Sequence, residues 1–256
     1  MIKKIVILAI LLIGFFAFNK YIYNEKQGEV TQTQTMQNEI KITPISHATM
    51  VLEWAGKVIY TDPVGGGKAF GSSTLPDIIL ITDIHGDHLD PETLLLVSKD
   101  TTVIVAPKEV VAKLPKGLIG KVVSLSNGEK TEQMGFSIEA VPMYNIPEKK
   151  DAFHTKGRGN GYLVVANGKR VYVSGDTSNI PEMKNLKNID IAFLCMNLPY
   201  TMSIEEAVEA TLSIKPKVVI PYHYRGPNGL SDTEKFKELV NSKDASISVN
   251  LVNFYP

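Results

Sequence analysis

This chain has almost no cysteine. Cys195 is the only one in 256 residues, so no internal disulfide can form and the fold must rest on its core. Cys195 lies in the apolar run "IDIAFLCMNL", the setting of a small buried hydrophobe rather than a nucleophile. Net charge is missing as well. Basic and acidic residues number 27 each, so the field of a duplex-binding protein is lacking and no nucleic acid is expected as partner. The glycine-rich "VGGGKAFG" has no Gly-Lys-Ser/Thr ending, so it is no phosphate cradle and reads as a mobile flap. Histidine is scarce, with five in all. What is present, 44% hydrophobic and 21% charged residues, is the composition of an ordinary globular protein with ample core.

One long apolar run occurs, from Ile5 to Phe18, behind the basic start "MIKK". A basic start and a short apolar core form a secretory signal pattern. Asn19 is a poor residue before a cut, and no cysteine follows that could carry a lipid. Residues 1–23 therefore read as an uncleaved signal anchor, with a cleaved signal peptide as the alternative. Either keeps Lys3 and Lys4 in the cytoplasm and exports the body, anchored to the membrane or secreted. The polar stretch "NEKQGEVTQTQTMQNE" (24–39) reads as a flexible tether. Beyond residue 23 the chain has 24 basic and 27 acidic residues, so the exported body is mildly acidic.

From Ile40 onward, short apolar runs alternate with turn signals. "MVLEWAGKVIYTDP" predicts a hairpin turning at Gly56-Lys57 and closed by Asp62-Pro63, and "GYLVVANGKRVYVSGD" a second through Asn167-Gly168. "DIILIT", "TTVIVAP", "VVSL", "FSIEAVPM", "IDIAFLCM" and "KVVIPYHY" read as strands. Asp90 and Pro91 predict the N-cap and first position of a helix over "PETLLLVSK", and a short helix is expected at 108–114. Ser203-x-x-Glu206 and Ser231-x-x-Glu234 read as capping boxes opening two more. The expected fold is α/β, a four-layer αββα sandwich of two mixed sheets packed face to face with helices outside.

Two of the five histidines fall in one loop, "LITDIHGDHLD", directly after an apolar strand. Asp83, His85, Asp87 and His88 would repel or desolvate one another without a cation. Alternate and adjacent positions in a tight loop can aim ligands to two sides, which suits two ions. Imidazole with carboxylate favours zinc, manganese or iron over calcium. Asp176 and His223 also follow buried strands, so three strand ends deliver ligand-type residues.

"TDIHGDHLD" resembles the His-x-His-x-Asp-His motif of the metallo-β-lactamase fold superfamily. "SGDT" (174–177) resembles its bridging-aspartate motif and "PYHY" (221–224) its terminal histidine motif. The opening "ISHATMVLEWAGKVIYTDP" is similar to the branch of ascorbate-phosphate lactonase-like proteins and of phospholipase D enzymes acting on N-acyl phosphatidylethanolamine. The resemblance covers about residues 40–225. It implies one metal held by Asp83, His85 and a third residue, a second held by Asp87, His88 and His223, and Asp176 bridging them. Asp83 stands where the family has histidine, and Tyr144 and Asn145 stand where the third ligand is usual. His154 is the histidine near enough to serve.

The expected chemistry is hydrolysis of an ester, lactone, amide or phosphodiester by a hydroxide held between two divalent ions, zinc first, manganese or iron otherwise. Asp87 would orient the nucleophile, and Tyr224 could donate to a developing oxyanion. Arg158 could pair with a phosphate or carboxylate, Asn145 lies near the substrate, and His47 is assigned a supporting hydrogen bond to a ligand. Substrates are small molecules or lipids. The alternatives are a membrane-lipid phosphodiesterase and a degenerate metal binder without turnover.

Overall fold

The structure, a computed structural model, describes residues 39–118 and 120–256. The anchor and all but the last residue of the tether lie outside them. Among the described residues no helix is long and apolar enough to cross a membrane.

The first sheet begins as an antiparallel meander, β1 (Lys41–Ser46), β2 (Thr49–Trp54) and β3 (Lys57–Thr61). It continues in parallel through β4 (Ile78–Leu80), β5 (Val103–Ala106) and β6 (Lys121–Ser124), in that order. The second sheet holds β7 (Lys130–Gln133), β8 (Phe136–Met143), β9 (Gly159–Ala166) and β10 (Lys169–Val173), all antiparallel. On its other side β11 (Ile191–Cys195), β12 (Val218–Tyr222) and β15 (Ser248–Val249) run parallel, giving the order β15-β12-β11-β10-β9-β8-β7. A short hairpin, β13 (Arg225–Gly226) and β14 (Gly229–Leu230), stands apart.

The layers follow from the two-residue period of a strand. In the first sheet Ile79, Ile81, Ile104 and Ala106 pack with Leu94, Val97 and Val110 of α1 (Pro91–Val97) and α2 (Lys108–Val111). Their neighbours Ile78, Leu80, Val103 and Val105 turn the other way, into one core with Phe136, Ile138, Tyr162 and Val164 of the second sheet. Strands buried on both faces read as unbroken apolar runs. Ala207, Val208, Phe236 and Val240 of α4 (Ile204–Ile214) and α5 (Thr233–Lys243) join that core. The short α3 (Pro181–Lys184) precedes β11. This is the four-layer αββα sandwich that the sequence predicts.

Local signals behave as read at most places. Asp90 caps α1 by accepting from the backbone N–H of Glu92 and Thr93, and Ser203 with Glu206 forms the full capping box of α4. Three expectations are corrected. The cap of α5 is Asp232, which accepts from Lys235 N–H, while Ser231 donates its hydroxyl to the Met196 carbonyl at 2.5 Å. The second helix stops at Val111 rather than residue 114. "VGGGKAFG" is a pinned turn rather than a mobile flap: Gly66 N–H donates to Thr93 Oγ1 at 2.7 Å, and Phe70 stacks on Tyr60 with centroids 4.5 Å apart.

Candidate metal centre

Four strand ends, of β3, β4, β10 and β12, deliver Asp62, the loop 83–88, Asp176 and His223 to one end of the molecule. His223 and Asp62 have φ of 46° and 42°, in the left-handed region, where a non-glycine residue is strained unless its surroundings hold it. Both are held. His223 N–H donates to the His47 carbonyl at 3.2 Å, and the Asp62 carbonyl accepts from Thr49 Oγ1 at 2.6 Å. Gly175 has φ 61°, and a β-carbon there would collide with the Met143 sulfur, so only glycine lets the chain turn and aim Asp176 inward.

Asp87, His88 and His223 form one cluster of potential ligand atoms, and Asp83, His85 and His154 another. In the first, His223 Nε2 lies 3.2 Å from both His88 Nε2 and Asp87 Oδ2. In the second, His85 Nδ1 is 2.8 Å from Asp83 Oδ2, and His154 Nε2 is 3.8 Å from the same oxygen. Asp176 joins them: its Oδ2 lies 3.4 Å from His88 Nε2 and 3.4 Å from His154 Nε2, and its Oδ1 lies 3.6 Å from His223 Nε2. Tetrahedral coordination with bonds of about 2.0–2.1 Å puts ligand atoms roughly 3.3–3.4 Å apart, the spacing found around His88 and His223. Asp176 Oδ1 and Asn197 Oδ1 are buried without a hydrogen-bond partner, and a cation or its water would satisfy such atoms. The residues fit a divalent metal.

The far nitrogens are already engaged. His88 Nδ1 lies 2.8 Å from Asp62 Oδ2 and 3.0 Å from Thr82 Oγ1, His154 Nδ1 3.2 Å from the Tyr200 carbonyl, and His223 Nδ1 2.8 Å from the Asn197 side-chain amide. Each arrangement turns Nε2 inward; for His88 and His154 the partner is an oxygen, the usual support for a metal-bound imidazole, and the Asn197 amide gives His223 the same support when its oxygen rather than its nitrogen faces Nδ1. Electrostatics agree. Burial alone would raise the Asp176 carboxyl, but the charges of His223 and His88 hold it well below the usual range. Burial disfavours a charged His88 ring, yet Asp176 and Asp62 raise its pKa well above the ordinary value. Asp87 is likewise kept ionised, its burial outweighed by His223 and His88. The carboxylates await a cation, and without one the His88 ring supplies it.

The remaining predicted residues separate into two groups. Asn145 accepts from His154 N–H at 2.8 Å and donates its amide to the Tyr200 carbonyl at 2.8 Å, so it fixes the loop that carries His154. His47 lines the cavity, binds His223 through its carbonyl and sits 2.8 Å from the Tyr255 hydroxyl through Nδ1; burial first, then His223, bring its pKa down to about 4. Arg158 grips Asp83 with both ends of its fork and donates to the Phe153 carbonyl at 2.5 Å. Tyr224 is the correction. It is buried, its hydroxyl donates to the Val252 carbonyl at 3.4 Å and accepts from Phe254 N–H at 3.2 Å, and it is absent from the cavity wall. Arg225, one residue on, lines the cavity instead.

That cavity, about 420 Å³, opens over Asp87, His85, His154 and Asp176. Asp62, Asn197 and Arg225 are residues of this site that the sequence reading missed. Asp62 had a signal, since "TDP" ends a buried strand with a carboxylate; Asn197 and Arg225 had none in their local pattern.

Comparison with known proteins agrees with this geometry. The profile of the family described as "Beta-lactamase superfamily domain" matches residues 41–223. A metal-dependent hydrolase of Pyrococcus abyssi is 29% identical over 215 residues, covering 80% of this chain and 93% of that protein. The crystal structure of a candidate metal-dependent hydrolase from Parabacteroides distasonis superposes with TM-score 0.73 at 40% identity, over 83% of this chain and 92% of that one. Igni18, a metallo hydrolase from the archaeon Ignicoccus hospitalis, gives 0.70 at 25% identity, over 84% and 95%.

Proposed function

The chain belongs to the beta-lactamase superfamily and is a metal-dependent hydrolase, and on that premise we propose that it works with two divalent ions, zinc first, on an ester, lactone, amide or phosphodiester. The observation that carries the binuclear reading is Asp176 Oδ2, equidistant at 3.4 Å from His88 Nε2 and His154 Nε2. When bound, the ions supply Lewis-acid polarisation and lower the pKa of coordinated water. Asp83, His85 and His154 would hold one, Asp87, His88 and His223 the other, and Asp176 would serve both.

The chain's own residues do the rest. Asp87 is 43% exposed at its side chain and stays ionised, so it accepts a hydrogen bond from water at the cavity mouth and orients it. Arg225 presents a guanidinium at the wall, stacked 4.1 Å over the Tyr255 ring, where it favours negative charge developing on the scissile group. The reading includes an exported domain, supported by the N-terminal residue pattern alone.

The test is elemental analysis of the full chain, wild type beside Asp83→Ala and His223→Ala, each assayed on an ester, a lactone and a phosphodiester. Two ions in wild type, one in Asp83→Ala, and lost turnover in both variants are expected. A wild type that keeps its activity after chelation would overturn the reading.

A further inference from the structure

The described residues include nine large apolar side chains that stand exposed, and three of them, Ile146, Phe153 and Leu198, are about half exposed and gather beside the metal centre. They line a second cavity, also about 420 Å³, whose wall shares Phe153 with the first. Half of its twelve lining residues are apolar, with Pro147, Ala152 and Pro199 completing that half. Phe153 precedes His154 and meets Tyr200 edge-on, with ring centroids 4.7 Å apart. Tyr200 in turn gives its carbonyl to His154 Nδ1, so this aromatic pair adjoins a metal ligand.

Nothing in the fold demands that these side chains face water. The loop around Phe153 is held by its carbonyl, which accepts from Arg158, and by Asn145, not by burial of the ring. Exposed apolar clusters continuous with a polar cavity mark a ligand's path. We propose that the substrate is a carboxylic ester, lactone or amide whose acyl side is a small apolar chain or ring, seated on Phe153 and Tyr200 and running toward Ile146 and Leu198. This rests on the hydrolase reading and narrows its substrate class. The scissile carbonyl then lies over the ligand cluster, and Arg225, in the wall of the same cavity, meets the polar side of the molecule.

The probe is a series of straight-chain hydroxamic acids, from acetohydroxamate to octanohydroxamate, titrated calorimetrically into the zinc-loaded full chain. The hydroxamate group reports the metal centre and the chain reports the apolar path. Each buried methylene should tighten binding by about three- to fourfold until the path is filled. Leu198→Ser and Ile146→Ser, at exposed positions, should abolish the gain from the longer chains and leave acetohydroxamate affinity unchanged. Acetohydroxamate that binds with no dependence on chain length would overturn the inference and leave the hydrolase reading intact. Failure of acetohydroxamate itself would bring down both. A concentration-dependent dimer, lost in Leu198→Ser and accompanied by no chain-length effect, would give the apolar cluster to a second copy of the chain and overturn the inference as well.

Discussion

Arg158 lies along Asp83 edge to edge, with Nε 3.1 Å from Oδ1 and Nη2 2.9 Å from Oδ2. The same Nη2 stands 3.4 Å from His85 Nε2, so a fixed positive charge touches two of the three residues of one metal cluster. The other cluster has the carboxylates of Asp87 and Asp176 and no such counter-charge among its contacts. The two ions should therefore bind unequally, the one at Asp83, His85 and His154 more weakly. Arg158→Gln is expected to tighten the weaker step by about tenfold or more and leave the stronger step in place. Zinc titration followed by calorimetry checks it, and a weaker step that is unchanged or loosened in the variant would refute it.

Asp62 governs the ion at Asp87, His88 and His223 without touching it. Asp62→Asn would keep the shape but turn a donor toward His88 Nδ1, favouring the tautomer with hydrogen on Nε2, which cannot ligate. Metal affinity should fall roughly 10- to 100-fold. Asp62→Ala should in addition destabilise the metal-free chain by about 3 kcal/mol, since Thr82 N–H and hydroxyl lose their buried acceptor. Denaturant titration in chelator separates the two variants.

Metal uptake should release protons. The raised pKa of His88 means that its ring is charged near neutrality in the metal-free chain, and a charged ring cannot bind metal. Apparent affinity is expected to climb with pH, by up to about tenfold per unit for one displaced proton, and to level off once pH passes the raised His88 value. Stability without metal runs the other way. The His88 contribution is complete below the unfolded histidine pKa, about 6.5, and is lost as pH rises through the folded one. Melting of the chelated chain at pH 6 and pH 9 tests the sign.

Asn145→Ala removes the two hydrogen bonds that fix the His154 loop. A loss of about 1–3 kcal/mol in stability is expected, with the ion at Asp83, His85 and His154 weakened and the ion at Asp87, His88 and His223 unaffected. Metal content after dialysis against micromolar zinc should fall toward one.

The fold was legible because its signals are local. The run 77–82 could only be a strand buried on both faces, and Asn167-Gly168 only a tight hairpin. At the site, legibility stops where side-chain direction depends on one residue of backbone. Tyr224 and Arg225 are neighbours, and the left-handed turn at His223 decides which of them meets the cavity. Asp62 shows the same limit: its carboxylate and its strand end are visible in the sequence, but its link to His88 spans 26 positions. Ser231 lost the cap to Asp232 because its hydroxyl met the Met196 carbonyl, 35 positions away.

His47, Asp62 and His223 all hold left-handed backbone around the same cluster of ligand atoms, with φ of 50°, 42° and 46°. Each such residue opposes folding by about 1–2 kcal/mol. The fold is thus a sprung frame, tensed at the end where its ligand atoms gather and braced by two sheets. A bound ion acts as a clasp across that frame, so withdrawing metal should slacken this end of the molecule first and leave the far ends of the strands standing.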